Sequence, residues 1–196
     1  MSAFWIYLQL GLTHVLDFKS YDHMLFLAAL TVPYTFKDWK KLLILISVFT
    51  LGHTVAMLLS VYEVLTIKAE IVEFLIPVTI LITALYTLFT AGKPGKLDNA
   101  GATVLITAFF GVIHGHGFAN DFNAILGGKA SDKLLPLLEF ALGIEFGQVA
   151  VILIVLILAY IAQTFFRFSK RDWALVMSAF VVGVVLPMII GNEIWT

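Results

Sequence analysis

The chain alternates long apolar runs with short polar connections. A bilayer core takes about 20 apolar residues per helix, with a range of about 17–25. On that measure seven apolar segments stand out: 2–18, 22–36, 41–62, 70–91, 100–120, 134–166 and 173–194. The first two are short for a span and flank the polar insert DFKSYDH, so they read as tilted helices or as a broken pair. The sixth is long, and is expected to project past the bilayer or to bend near Gly143–Gly147. The connections PYTFKDWKK, AGKPGKLDN, GGKASDK and RFSKRD are short and polar, and no internal repeat is visible. The pattern predicts an all-α integral membrane protein: a bundle of about seven transmembrane helices, the first two short or broken, with residues 1–196 in a single helical domain.

Composition strengthens this reading. Of the 196 residues, 61% are apolar and 13% charged, where a soluble domain has about a quarter charged. A net charge of −1 gives no electrostatic reason to expect nucleic acid. The absence of Cys removes disulfides, thiolate ligands and redox thiols. The stretch MSAFWIYLQLGLTH has neither a basic n-region nor a small-residue cleavage site, so it reads as a retained first helix. Under seven spans Lys37, Lys40, Lys41, Lys93, Lys96, Arg167, Lys170 and Arg171 share one side. Lys19, Lys68, Lys129 and Lys133 share the other. The excess predicts a cytoplasmic N-terminus.

Candidate chemistry begins with the histidines. His14, His23, His53, His114 and His116 all lie within or at the ends of apolar segments. An ionisable side chain at depth costs at least about 2–3 kcal/mol, so such groups usually face a bundle interior and mark function. One membrane histidine alone is often just a hydrogen-bond partner between helices. Five, accompanied by Glu145 and several aspartates, ask for more.

Depth tests whether they can meet. At 1.5 Å per residue, His53 lies about 18 Å and His114 about 21 Å from the inner ends of their segments, and Glu145 about 17 Å from the outer end of its own. These three share a layer near the midplane. His14, Asp22 and His23 fall on the outer side, so the groups converge on a site with an outward mouth. His14 and Asp17 are i, i+3 neighbours, as are Glu145 and Gln148. Asp17 or Asp22 is placed to orient a histidine ring through its second nitrogen. In GVIHGHGFAND, His114 shares its face with Gly111, Phe118 and Asp121, whereas His116 lies about 200° away on an ideal helix. Gly111, Gly115 and Gly117 either distort the helix so that both rings turn inward or let a neighbouring helix approach.

Imidazoles and carboxylates without thiolates suit Zn²⁺, Ni²⁺, Co²⁺, Cu²⁺ or Fe²⁺, and do not choose among them. No zincin motif, phosphate loop, dinucleotide fingerprint or GxSxG is present. Thr79, Thr83, Thr87 and Thr90 form a stripe. Its plainer reading is hydroxyls bonded to their own i−4 carbonyls; its functional reading is a hydroxyl-lined route inward. Pro77 and Pro187 read as kinks, and Trp5, Trp39, Trp173 and Trp195 as interfacial anchors.

Four stretches in order, GLTHVLDFKSYDHMLF, FTLGHT, FFGVIHGHGFA and FALGIEFGQ, resemble the HupE/UreJ family of bacterial membrane proteins. The resemblance covers the first six segments. Members accompany hydrogenase or urease operons and are regarded as nickel or cobalt permeases or accessory proteins. The resemblance implies a multi-pass protein of the bacterial cytoplasmic membrane, and functional positions at His14, Asp22 and His23, then His53, His114, and Glu145 with Gln148. The insert FKSY lengthens the usual spacing from His to Asp-His, His116 stands at a position usually apolar, and Ala141 stands where Asn is common. An extra histidine suggests an additional ligand.

Two function classes follow. One is transport or delivery of a divalent metal of the nickel, cobalt or zinc type, with the ion and the bilayer as partners and a metallochaperone or a second copy of the chain as further candidates. The other is an intramembrane metalloenzyme, a hydrolase using metal-bound water with Glu145 or an Asp as base. A structural or haem-binding role suits a mixed histidine and carboxylate set less well.

Overall fold

A computed structural model describes residues 2–92, 100–126 and 133–195. It contains seven α-helices: α1 (Ala3–Val15), α2 (Asp22–Thr31), α3 (Trp39–Val61), α4 (Ala69–Thr90), α5 (Ala100–Leu126), α6 (Leu134–Thr164) and α7 (Lys170–Ile190). Two 3₁₀ turns, Phe36–Asp38 and Glu193–Trp195, complete the described elements, and no strand occurs among the described residues.

Every predicted segment holds one helix, with ends set by local chemistry. The second stops at Thr31, short of the expected 36. Pro33 has no N–H to continue the ladder, and its ring disfavours helical geometry in the residue before it. Thr35 then opens the 3₁₀ turn, its N–H and hydroxyl donating to the Asp38 carboxylate at 2.9 and 2.8 Å. α7 starts at Lys170 because Ser169 caps it. The Ser169 hydroxyl accepts from the Asp172 N–H at 3.1 Å and donates to the Asp172 carboxylate at 2.6 Å. α6 runs unbroken for 31 residues.

Four helical stretches are long and apolar enough to cross a bilayer: Phe36–Val61, Ala69–Thr90, Leu134–Thr164 and Lys170–Ile190. α1 and α2, of 13 and 10 residues, rise about 20 and 15 Å, less than a core of about 30 Å. They are short, as expected. Apolar side chains such as Ile44, Leu51, Phe109 and Phe146 point outward, as a lipid-facing surface requires. Trp5, Trp39 and Trp195 are exposed, but Trp173 is packed inside. The anchor role expected of it therefore does not hold.

Two intimate helix pairs organise the bundle, α3 with α5 and α1 with α6. A Cβ at Gly111 would collide with the Phe49 carbonyl, and one at Gly115 with the His53 carbonyl. Gly11 faces the Phe140 carbonyl and Gly143 the Leu8 carbonyl in the same way. Backbones this close gain dispersion contacts that lipid cannot replace. Gly111 and Gly115 thus serve close approach, whereas Gly117 faces only the Ile76 and Val72 side chains; the helix stays regular through His114 and His116.

Candidate metal centre

Four histidines meet where the two close pairs adjoin. His14 lies near the end of α1 and His23 near the start of α2. His53 comes from the middle of α3 and His114 from α5. Ring centroids stand 4.7 Å apart for His14–His23, 5.9 Å for His14–His53, 5.7 Å for His23–His53 and 5.3 Å for His23–His114. One nitrogen from each of His14, His23 and His53 lies within 4.8 Å of the other two. Bonds of about 2.0–2.1 Å to one ion bring such atoms within about 3–4 Å, so small ring rotations close the trio.

Several ring nitrogens of the cluster have no partner among the described residues. Nε2 of His14, His23 and His114 and both ring nitrogens of His53 are buried without a hydrogen-bond partner. Leaving a buried polar atom unpaired costs about 1–3 kcal/mol, so native proteins rarely gather several without reason. Second nitrogens are anchored where the structure offers an acceptor. His114 Nδ1–H donates to the Phe110 carbonyl at 2.8 Å. That bond requires the proton on Nδ1 and leaves the buried Nε2 with a lone pair and no partner among the described residues. Asp22 Oδ1 accepts the His23 backbone N–H at 2.8 Å and stands 3.2 Å from His23 Nδ1. Asp22, not Asp17, therefore holds a ring. Asp17 accepts the Lys19 N–H at 2.8 Å and shapes the turn after α1.

Phenyl rings wall the cluster. Phe118 lies 4.1 Å from the His14 ring, and Phe26 and Phe49 lie 5.4 and 5.2 Å from that of His114. Phe140 stacks on Phe118 at 5.2 Å. One side is open: a cavity of about 510 Å³, lined among others by Thr13, His14, Asp17 and Lys19, reaches the cluster from the α1–α2 turn. On the far side of Phe26 and Phe110, a second cavity of about 340 Å³ is lined by Thr83, Thr87, Thr103, Thr107, Tyr34 and Tyr86 with apolar neighbours. Thr83 and Thr107 spend their hydroxyls on carbonyls four residues back, at 2.9 and 2.8 Å. The plainer reading of the threonine stripe thus describes Thr83 and also Thr90, which donates to the Tyr86 carbonyl at 2.6 Å. Thr79 donates to the Ile76 carbonyl three residues back at 2.7 Å; Thr83 and Thr87 do border a cavity.

The remaining candidates lie apart from the trio. His116 is buried, and its Nδ1–H donates to the Val112 carbonyl at 2.9 Å. No ring contact joins it to the other histidines, as expected for i, i+2 positions on an undistorted helix. Glu145 is half-buried between α6 and α3. Ser47 donates to its Oε1 at 2.6 Å and Thr50 to its Oε2 at 2.6 Å. Gln148 is fully buried beside Thr50. Asp121 falls in α5, but its side chain lies outside the described residues. Sequence reasoning did not single out Ser47, Phe26, Phe49 or Phe140, and noted Phe118 only as sharing a face with His114. Ser47 precedes Thr50 by three residues and Thr50 precedes His53 by three, a spacing that marks a shared polar face.

A family model described as "HupE / UreJ protein" matches residues 1–191. No curated protein and no solved structure gives a significant match.

Proposed function

We propose, on the premise that the chain belongs to the HupE/UreJ family, that it takes up a divalent transition-metal ion and moves it through the membrane or hands it to an accessory protein. His14, His23, His53 and His114 are the ligands in this reading. Asp22 orients His23, and the Phe110 carbonyl orients His114. The observation that carries it is the convergence of nitrogens from His14, His23 and His53, each ring with an unpartnered buried nitrogen, with the His114 ring 5.3 Å from that of His23. Nickel and cobalt are the cargo the family suggests, and imidazole ligands suit both. The ion enters through the cavity beside His14, exchanging its water for nitrogen. The phenyl walls restrain water from following. The location proposed is the bacterial cytoplasmic membrane with the N-terminus inside, which turns that mouth outward.

The test is uptake of Ni²⁺ into liposomes carrying the purified protein, together with the metal content of the protein itself. Wild-type protein is expected to bind Ni²⁺ and to raise uptake above empty liposomes. His53→Ala and His114→Ala are expected to lose both. Full metal occupancy in both variants would refute their assignment as ligands.

One observation favours a second reading. The wide cavity against His14 leaves room for a substrate as well as for an ion. A zinc hydrolase with a resident ion would keep one metal per chain through dialysis and show no uptake into vesicles.

A further inference from the structure

Glu145 sits in the middle of α6, a 31-residue apolar helix. Among the described residues no ion pair reaches it. An ionised carboxylate at the centre of a membrane helix costs about 2.5–3.5 kcal/mol even where snorkelling relieves it. Two hydroxyls converge on this one, from Ser47 and Thr50, each at 2.6 Å. Thr50 has one proton and two acceptors in reach, Glu145 Oε2 and Gln148 Oε1, the latter at 3.1 Å. It can serve only one of them fully. Gln148 is completely buried, and its Nε2 has no partner. Rotating the amide lets Gln148 donate to Thr50 but puts its carbonyl oxygen in the orphaned place. In the orientation seen the unpaired atoms are amide protons; the rotated amide instead sets a free carbonyl oxygen beside the carboxylate and the two hydroxyls.

We propose that Glu145, Ser47, Thr50 and Gln148 form a second cation site, built of oxygen donors, for a partly hydrated divalent ion. Thr50 and Ser47 lie one and two turns before His53 on α3, about 4.5 and 9 Å along its axis. They lie on the side away from the α1–α2 mouth. An ion leaving the imidazoles in that direction meets weaker, harder ligands next. Conduction needs this order, because a site that only binds tightly does not release. Oxygen donors also prefer harder ions than imidazole does, so the two sites separate by chemistry. The role as an exit station rests on the transport reading; the binding itself does not.

Two ions distinguish the sites in protein reconstituted into nanodiscs: Mn²⁺, followed by electron paramagnetic resonance, and Ni²⁺, followed by calorimetry. Glu145→Gln keeps the size of the side chain and removes its charge. It is expected to weaken Mn²⁺ binding at least tenfold while leaving the tight Ni²⁺ site in place. His53→Ala is expected to do the reverse. Wild-type protein that binds no Mn²⁺, or Glu145→Gln that binds it as tightly as wild type, overturns the proposal. Should Glu145→Gln fail to fold, Ser47→Ala and Thr50→Val decide: several-fold weaker Mn²⁺ binding supports it, and unchanged binding overturns it. Ni²⁺ binding that survives His53→Ala would instead overturn the histidine assignment and leave the Mn²⁺ result standing.

Discussion

The imidazoles of His14 and His23 stand edge to face with ring centroids 4.7 Å apart, one near the end of α1 and the other near the start of α2. The polar turn between the helices lets both rings meet. Each keeps a buried Nε2 without a partner. Two short helices thus do what one full span cannot, presenting ligand-bearing ends inside the bundle. The cost of those unsatisfied nitrogens gives the first prediction.

Replacing His53 by Leu removes two buried, unpartnered nitrogens. Each such atom costs about 1–3 kcal/mol, so metal-free His53→Leu should melt at or above the wild-type temperature. Its stabilisation by Ni²⁺ should vanish, where a wild-type site at 100 times its Kd would gain about 2.7 kcal/mol. Thermal melts with and without Ni²⁺ in detergent read both numbers. An undiminished Ni²⁺-dependent rise would count against His53 as a ligand.

Asp22→Asn keeps an acceptor for the His23 N–H but removes the charge beside His23 Nδ1. Loss of such an orienting carboxylate typically lowers metal affinity about 10–100-fold. Calorimetric titration with Ni²⁺ should show that drop with the stoichiometry unchanged. Asp17→Asn, which alters a turn contact, should change affinity little.

Gly115 and Gly183 make a matched pair. A Cβ at Gly115 meets the His53 carbonyl, whereas nothing lies within 4 Å of one at Gly183. Gly115→Ala should therefore destabilise the protein by about 1–3 kcal/mol, the usual cost of overpacking. It should also weaken Ni²⁺ binding, because it pushes against the segment that carries His53. Gly183→Ala should be neutral or stabilising by up to about 1 kcal/mol, since Ala is the better helix former. Equal effects of the two substitutions in chemical denaturation would argue against the close α3–α5 crossing.

Metal binding should weaken as pH falls. Protons and the ion compete for the same imidazole lone pairs, so each proton displaced on binding costs about tenfold in apparent affinity per pH unit in the range where that ring is protonated. The sign is fixed: retention is greatest at neutral to mildly alkaline pH and lost toward acid. Ni²⁺ retained equally at pH 7.5 and 5 would exclude histidine as the main ligand type.

Much of the centre was legible in the sequence because depth is nearly a local property. Counting residues from segment ends placed His53 and His114 in one layer, and the structure gathers them with His14 and His23. The same count put Glu145 at that level but gave no direction. Only the packing of α6 on α3 turns it toward Ser47 and Thr50. The glycines of α5 left two readings open, distortion or close approach. The choice depended on the neighbouring helix: the Phe49 and His53 carbonyls fill the space a side chain would need.

The sequence by itself determined that the chain is helical, where its seven segments lie, and that its histidines sit among apolar residues. Those are consequences of run length and of the rule that lipid accepts no unpaired backbone. Tertiary structure alone decided which imidazoles face one another. His114 and His116 are two residues apart and point to different sides of α5, and the rotation of that helix is set by the backbone it lies against. A helix carries its own hydrogen bonds wherever it goes, but the direction of a side chain has meaning only relative to its neighbours.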